Sequence, residues 1–539
     1  MEKKLPPLIQ ALLDPACYKH ATQNIHVVET HISWVLLTGP YAYKIKKPVD
    51  LGFLDFSTLE QRHFYCEEEL RLNRRLAETL YLGVIPITGS PAAPTLSGSG
   101  AAIEYAVKMT QFSETARLDR MLARGELRSV HIDLLIHELA QFHGHIAIAG
   151  DDAPFGNPDQ VMAPVRQNFE QIRPRIEAAD QALLQHLQTW SERSFADLKE
   201  ILAQRKRQGF IRECHGDAHL ANMVWHEGRV LLFDCLEFSE ALRWIDTLSE
   251  LAFLVMDLEA ACGTALPRDG AAAENHGRTD FAYRALNAYL EQTGDYAGLT
   301  VLRFYLVYRA LVRAKVACIR ANQSGLSDPE NQQVRNTYLG YVNLAAQYTQ
   351  TPHTALIITH GLSGCGKTWL SQQLLEQLGA IRLRSDVERK RLYGLAPQAR
   401  SDSNIDQGIY TADASQRTYA HLAKLAGTIL RAGYPVIVDA TFLARHQREQ
   451  LHAVAEHAGV PFIILDIQVP DAILRARLQQ RALHEHDASE ANEAVLDRQR
   501  ASREPLSVTE QKHALAVNGE SAPDMARLVA DLRARFQTK

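Results

Sequence analysis

The sequence predicts two domains of unlike class in one chain of 539 residues: an α+β domain over residues 1–348, and an α/β domain on a five-stranded parallel sheet over 354–539, joined by a linker at 349–353. Three observations carry this. GLSGCGKT at 361–368 fits G-x-x-x-x-G-K-[ST], between an apolar run at 355–359 and a helically spaced segment at 369–378 that stops at Gly379. Strand, glycine loop, helix is the context that motif requires. Beyond it strand and helix signals alternate, as a parallel sheet covered on both faces demands. Ahead of it the order differs: hairpin and helix come first, then the polar loop HGDAHLAN at 215–222, then Asp234 closing an apolar run, then helices only.

The chain is too long for one hydrophobic core. Its formal charge of −5 argues against a general nucleic-acid coat, while leaving room for a local basic groove. Seven cysteines, Cys17, Cys66, Cys214, Cys235, Cys262, Cys318 and Cys365, show no C-x-x-C spacing, so neither a disulfide framework nor a zinc site is expected. The N-terminal apolar stretch is broken by Gln10 and lacks a cleavage site, and no run approaches the length of a membrane span. A cytoplasmic protein without membrane contact is the expectation.

Residues 32–37 and 41–45 are strand-like and joined by Thr38, Gly39 and Pro40, a hairpin signal. Alternation puts Ala42, Lys44 and Lys46 on one face. YAYK at 41–44 is a loose form of the V-A-I-K strand of protein kinases, whose lysine holds the α and β phosphates. The same lysine on an edge strand reads as a solvated gatekeeper. Residues 64–80 are helically spaced, with Glu69 on the face of Leu72 and Leu76; a glutamate pointing inward needs a cation, and Lys44 is the expected partner. Residues 103–107 read as a strand, with 108–112 as the hinge that bonds an adenine. The helix expected over 131–147 carries His143 and His145, read as structural because no further ligand set lies near them in sequence.

HGDAHLAN sets Asp217 and Asn222 five residues apart, after the strand-like 210–214 and before Asp234 at the end of 230–233. A plain turn is one reading of a loop so rich in Asp, Gly and Asn. The spacing is also that of H-R-D-x-x-x-x-N followed by a metal-binding aspartate. On that reading Asp217 accepts the proton of an attacking hydroxyl, and Asn222 and Asp234 hold Mg²⁺.

HGDAHLAN with Asp234 resembles the aminoglycoside phosphotransferase and choline kinase branch of the protein-kinase-like superfamily, in which glycine replaces the arginine of H-R-D. The resemblance covers about residues 32–348 and implies a two-lobed fold using ATP and Mg²⁺, with Asp217 as base and Asn222 and Asp234 as metal ligands. Asp246, in RWIDTLSELAFL, resembles the family aspartate that braces the catalytic loop, and Glu250 stands where D-L-A is often written. G-x-G-x-x-G is absent, so the hairpin around Gly39 is expected to cover the phosphates. The helical lobe of the aminoglycoside enzymes binds their acceptor; here it has no acidic cluster dense enough for a polycation.

In the second domain the loop of Gly361, Ser363, Gly364, Cys365 and Gly366 is expected to turn backbone N–H groups around a phosphate chain of ATP or GTP. Lys367 reaches the terminal phosphates, and the Thr368 hydroxyl is placed for Mg²⁺ at a helix N-terminus. Strands are expected at 355–359, 381–384, 436–438, 462–467 and 514–517. Asp439 closes the third, as a metal ligand or as a helix cap. In RLRSDVERKRL at 382–392, Ser385 and Glu388 form a capping-box pattern. Asp386 and Arg389 lie one turn apart at a strand's carboxyl end, where ligands bind in such sheets, and resemble the D-x-x-R of small-molecule and polynucleotide kinases, which implies a base for the acceptor hydroxyl and a clamp on its anionic group. Arg475 reads as a solvated face; Arg477 and Arg481, ahead of a polar segment containing His484 and His486, suit a lid over phosphates.

GLSGCGKT, SDVER and VIVDATF resemble the P-loop kinases grouped with gluconate kinase, polynucleotide kinase and the zeta-type toxins. The pairing of both halves resembles a bacterial family described as a bifunctional aminoglycoside phosphotransferase and ATP-binding protein. The expectation is a tandem kinase, each half moving a γ-phosphate to a small-molecule hydroxyl. Two rivals remain. The second half acts on a polynucleotide or nucleotide sugar, which the basic run 382–391 permits, or one site binds nucleotide without turnover and regulates the other.

Overall fold

The structure, a computed structural model, describes residues 5–52, 54–261, 280–321, 326–350, 353–396, 399, 408–482 and 493–537. Backbone contacts divide the chain into two compact units, Met1–Pro174 with Ser191–Asp257, and Arg175–Trp190 with Leu258–Lys539. Helices ahead of the expected linker thus group with the phosphate-loop sheet; Thr351 and Pro352 of that linker lie outside the described residues.

The first unit is built on a six-stranded antiparallel sheet of β1 (His26–Glu29), β2 (Ser33–Leu37), β3 (Tyr41–Lys46), β4 (Tyr81–Ser90), β5 (Ala93–Leu96) and β6 (Ala102–Thr110), in the order β1-β2-β3-β6-β4-β5. The expected hairpin is β2–β3. Sequence reading passes over β1, β4 and β5; β4, YLGVIPITGS, hides behind two glycines and a proline. Helix α1 (Leu59–Ala77) starts ahead of residue 64 because Thr58 and Gln61 form a capping box, a polar signal that apolar periodicity does not register. The buried Arg62–Glu104 pair, 2.9 Å, ties α1 to β6. Further on, β7 (Ile211–Glu213) pairs with β10 (Trp244–Asp246), and β8 (Met223–His226) with β9 (Arg229–Leu232). These two ribbons frame the 215–222 loop, and helix α2 (Ser129–His145) packs against β9.

The second unit contains the parallel sheet: β11 (Leu356–His360), β12 (Ile381–Arg384), β13 (Val436–Asp439), β14 (Phe462–Gln468) and β15 (Ala514–Asn518), in the order β12-β13-β11-β14-β15. Every residue of β11 is buried, which is why such strands read as unbroken apolar runs. The carboxyl ends of β12, β13 and β11 are neighbours, so the segments that leave these three strands converge on one edge. Helices α3 (Asp280–Thr293), α4 (Leu299–Ala321), α5 (Lys367–Leu378), α6 (Ser385–Leu392), α7 (Ala412–Arg431), α8 (Asp471–Ala482) and α9 (Glu493–Ser502) belong to the same unit. Among the described residues no helix is long and apolar enough to cross a membrane.

Glu259 is buried in this unit and accepts a hydrogen bond from the Tyr348 hydroxyl. Burial pushes its carboxyl up to about 7, against the pull of the Tyr348 and Tyr283 hydroxyls. The folded chain therefore keeps a proton that the unfolded chain releases near 4.5, so stability falls as pH rises between those values and is level above them. Glu259→Gln is expected to flatten this slope and, at about pH 8, to be more stable than wild type by on the order of 2 kcal/mol. Denaturation of both proteins at about pH 5 and about pH 8 checks it.

Candidate functional site

In the first unit Lys44 lies on β3, an interior strand between β2 and β6, and is 8% exposed, so the solvated-gatekeeper reading does not hold. Its Nζ is 2.8 Å from Glu69 Oε1 and 2.5 Å from Asp234 Oδ1. Glu69 Oε2 also takes Lys46, at 2.7 Å, and Lys46 has Glu237 as its second partner. Burial works against charge on Lys44, but Asp234 and Glu69 outweigh it and hold the amine well above its usual range. Burial likewise pushes Glu69 up, and the two lysines outweigh it and bring it to about 2. For Glu237 burial wins and its carboxyl is raised. Sequence reading placed Lys46 on the right face without assigning it a role, and passed over Glu237. The signal was there: two lysines of one strand face cannot share one buried carboxylate without a further anion.

Asp234 has a left-handed backbone, φ 62°. Such a conformation costs about 1–3 kcal/mol in a non-glycine residue and persists only where its surroundings hold it. Here the Asp234 amide donates to the Tyr81 hydroxyl at 3.1 Å, and the next amide, of Cys235, to Asn73 Oδ1 at 2.9 Å. The side chain stays 48% exposed, open to a ligand.

Asn222 Nδ2 donates to Asp217 Oδ2 at 2.9 Å, with His219 Nε2 at 3.4 Å from the same oxygen. The Phe233 amide donates to Asn222 O at 3.0 Å, which brings Asn222 beside Asp234. His215 lies 3.0 Å from Phe233 O through Nε2 and accepts from the Asp217 amide at Nδ1, 3.3 Å; one neutral tautomer serves both, and burial lowers its pKa. The loop's brace is Glu250 rather than Asp246. Glu250 accepts from the amides of Gly216, 2.6 Å, and His215, 3.2 Å, and sits 2.8 Å from His143 Nε2. Burial pushes its carboxyl up, but the His143 hydrogen bond and charge bring it to about 2. Asp246 instead pairs with Arg205, at 2.6 and 2.8 Å. His143, Cys214 and Glu250 hold ligand-type atoms within 4.8 Å of one another, but both Glu250 oxygens already serve the brace.

The expected hinge is shorter than 108–112. Lys108 to Thr110 belong to β6, with β3 and β4 on either side, and the Gln111 amide donates to Pro40 O at 3.1 Å. The strand pairing and the Gln111 amide are thus already used on this stretch, and Phe112 is the first residue beyond them. The Gly39 turn is held too: its amide donates to Gln111 Oε1 at 3.0 Å.

In the second unit, the phosphate loop leaves β11 at Gly361, where a Cβ would lie 2.7 Å from Cys365 Sγ, and enters α5 through Gly366 at φ 95°. The amides of Gly364, Gly366, Lys367 and Thr368 have no acceptor among the described residues. Those of Gly361, Ser363 and Cys365 are engaged, by Thr441 O at 3.2 Å, Gln499 Oε1 at 2.9 Å and Leu362 O at 3.3 Å. The anion cradle is thus narrower than the motif implies. Gln499, on α9, also donates to Ser363 Oγ at 3.0 Å, and no sequence motif marked it. Lys367 Nζ rests on the carbonyls of Gly361 and Leu362, at 3.1 and 2.9 Å.

Asp439 ends β13 at 5% exposure, and among the described residues its one hydrogen bond is from Ser371 Oγ, 3.3 Å, with no ion pair. A carboxylate buried so nearly alone calls for a cation, so Asp439 and Thr368 fit Mg²⁺. The capping box at Ser385 does not form: Glu388 is wholly buried and meets His421 and the Tyr296 hydroxyl, each at 3.2 Å, together with Arg391. Asp386 and Arg389 remain half-buried, and both act electrostatically on Tyr419; the Arg389 guanidinium lies over the Tyr410 ring at 4.9 Å. Within the basic run Arg382 and Lys390 are buried and Arg391 is paired, so these three offer no open cationic face.

Arg477 donates to the carbonyls of Gly519, 2.8 Å, and Glu520, 3.2 Å, and its Nη1 lies 3.9 Å from where a Cβ on Gly366 would stand, so it borders a side cavity next to the phosphate loop. That cavity, about 340 Å³, lies between Cys365, Gly366, Trp369, Arg477 and the 518–523 loop. The side chain of Arg481, and His484 and His486, lie outside the described residues. Arg475 pairs with Asp471 and Asp497, as a solvated face would.

A phosphotransferase enzyme family model matches residues 66–289 and an AAA domain model residues 356–506. Uncharacterized proteins of Mycobacterium tuberculosis and Mycobacterium bovis are each 30% identical over 436 residues, covering 80% of this chain and 81% of theirs. Among solved structures, a choline/ethanolamine kinase family protein from Mesorhizobium loti is 12% identical, with a TM-score of 0.37 over 64% of this chain and 94% of that one. A gluconokinase from Sinorhizobium meliloti 1021 is 18% identical, with a TM-score of 0.24 over 34% of this chain and 92% of that one.

Lys46→Met removes the lysine from Glu237 and leaves that carboxylate buried without its ion pair. A loss of about 3–5 kcal/mol in urea unfolding is expected, most of it recovered in the double variant Lys46→Met with Glu237→Leu.

Proposed function

Since the chain belongs to the family of those mycobacterial proteins, with a phosphotransferase-family domain ahead of a P-loop kinase domain, we propose a tandem kinase: each half transfers the γ-phosphate of ATP or GTP, with Mg²⁺, to a hydroxyl of a small molecule. One observation carries the reading: the front half sets Lys44 on Asp234, and the rear half, on an unrelated fold, links Asp439 through the Ser371 hydroxyl to the carbonyl of Thr368, the residue after Lys367. The two constellations share no residue.

In the front half Glu69 holds Lys44 ready for the α and β phosphates. Asp217, oriented by Asn222 and His219, takes the proton of the acceptor hydroxyl as its oxygen forms the new bond to phosphorus and the bond to the departing diphosphate breaks. Asn222 and Asp234 would hold Mg²⁺. In the rear half four loop amides and Lys367 take the phosphates, Asp386 receives the hydroxyl proton and Arg389 pairs with an anionic group on the acceptor. Thr368 and Asp439 would hold Mg²⁺. When bound, the ion offsets charge on the phosphates in either half.

The cavity beside Gly366 suits the nucleoside, because Arg477 is held through its N–H groups and keeps a guanidinium face for stacking. The burial of Arg382 and Lys390 favours a small acceptor over a polynucleotide. The free thiols of Cys17, Cys66, Cys214, Cys235, Cys318 and Cys365 suit the reducing cytoplasm.

Transfer of labelled γ-phosphate from ATP into metabolite and RNA pools of a cell extract tests the reading, with wild type, Asp217→Asn and Lys367→Ala side by side. Each variant is expected to lose a different product, by about 100-fold or more. Retention of all products in both variants overturns the assignment of these residues. Loss of every product in one variant alone favours a regulatory pair of sites.

A further inference from the structure

The phosphotransferase family match ends at residue 289, inside α3, yet the side chains of α3 act on the phosphate-loop sheet. β12 is an edge strand, and an edge leaves backbone groups without a strand partner. Asn287 covers two of them: Nδ2 donates to Ala380 O at 2.9 Å, and Oδ1 accepts from the Arg382 amide at 2.7 Å. One carboxamide replaces the peptide of a neighbouring strand.

One helical turn on, Glu291 Oε1 accepts from Nε and Nη2 of Arg382, at 2.9 and 2.7 Å. The remaining terminal nitrogen of Arg382 lies 3.4 Å from both Thr368 O and Ser371 Oγ. The Ser371 hydroxyl in turn faces Thr368 O, 3.1 Å, and Asp439 Oδ2, 3.3 Å. Glu291, Arg382, Ser371 and Asp439 thus form one line, with Arg382 at 5%, Ser371 at 0% and Asp439 at 5% exposure. Without Glu291, Arg382 would carry an uncompensated positive charge beside the place where Asp439 and Thr368 are to receive a cation. In so buried a setting such charges act on each other strongly.

We propose that Glu291 is a positioning residue of the rear kinase site, and that the working unit of that kinase begins at α3 rather than at the phosphate-loop strand. The inference rests on the rear-site reading above. α3 has other anchors, since Arg284 pairs with Glu376 at 2.8 Å and Tyr283 packs on Gly379, so Glu291→Gln leaves its docking in place.

The test uses the full chain. Trp369 is 49% exposed and lines the cavity, so its fluorescence, taken as the difference between wild type and Trp369→Phe, reports nucleotide at this site. ATP is titrated with Mg²⁺ and again in EDTA. Glu291→Gln is expected to weaken Mg·ATP binding about 10-fold and metal-free ATP binding by less than about twofold. A general loosening of the fold would affect both alike. Glu291 Oε2 also lies 3.7 Å from Arg384, so the epistasis is read on Mg²⁺ dependence: in a chain carrying Arg382→Met, adding Glu291→Gln is expected to leave the ratio of Mg·ATP to metal-free ATP binding unchanged, and this pair, which removes both Arg382 and its carboxylate, carries the test if Glu291→Gln alone unfolds. Equal losses with and without Mg²⁺, no loss at all, or additive effects on that ratio in the double variant overturn the inference. A wild type that gives no Trp369 response to Mg·ATP overturns the rear-site reading itself.

Discussion

A carboxylate taken out of water must find a cation, and Glu69 meets that demand twice over. Its two oxygens take Lys44 and Lys46 from one face of β3, so helix α1 is fixed to the sheet by charge as well as by apolar contact. Lys44 is thereby aimed at Asp234, and Lys46 carries the link on to Glu237, three residues further along the chain. The segment bearing the metal-type aspartate is tied from both sides, which is what a left-handed backbone at Asp234 requires.

The same constraint is met differently elsewhere. Glu250 is satisfied by a histidine and two backbone amides, and in being satisfied it shapes the loop that presents Asp217 and Asn222. Among the described residues the Asp439 carboxylate has only the Ser371 hydroxyl, and the neighbouring cation, Arg382, is already claimed by Glu291. A buried anion that is fully compensated acts as structure, and one left nearly alone still calls for a cation. The contrast between Glu250 and Asp439 separates the two cases inside one chain.

Much of the fold follows from local pattern. The parallel sheet is legible because its strands are buried on both faces, and its five elements fall within a residue or two of their expected limits. β4 is illegible because its pairing with β6 on one side and β5 on the other outweighs the cost of its glycines and proline. At the sites, spacing singled out Asp217, Asn222, Asp234 and Lys367, and the structure sets Asn222 on Asp217 and Lys44 on Asp234. Spacing misjudged residues whose work depends on a partner distant in sequence. Glu388 reads as a cap but faces Tyr296 and His421, and Asp246 reads as the brace but meets Arg205.

The sequence by itself determined that two kinase-family domains of unlike fold stand in one chain, because a glycine loop between strand and helix and an aspartate five residues before an asparagine are local chemistry. Only the tertiary structure decided which buried charges are already paired, that Lys46 and Glu237 extend the Lys44 cluster, and that Asn287 and Glu291 serve a sheet some ninety residues further along. Pairing energies depend on distance and burial, and neither is fixed by separation along the chain.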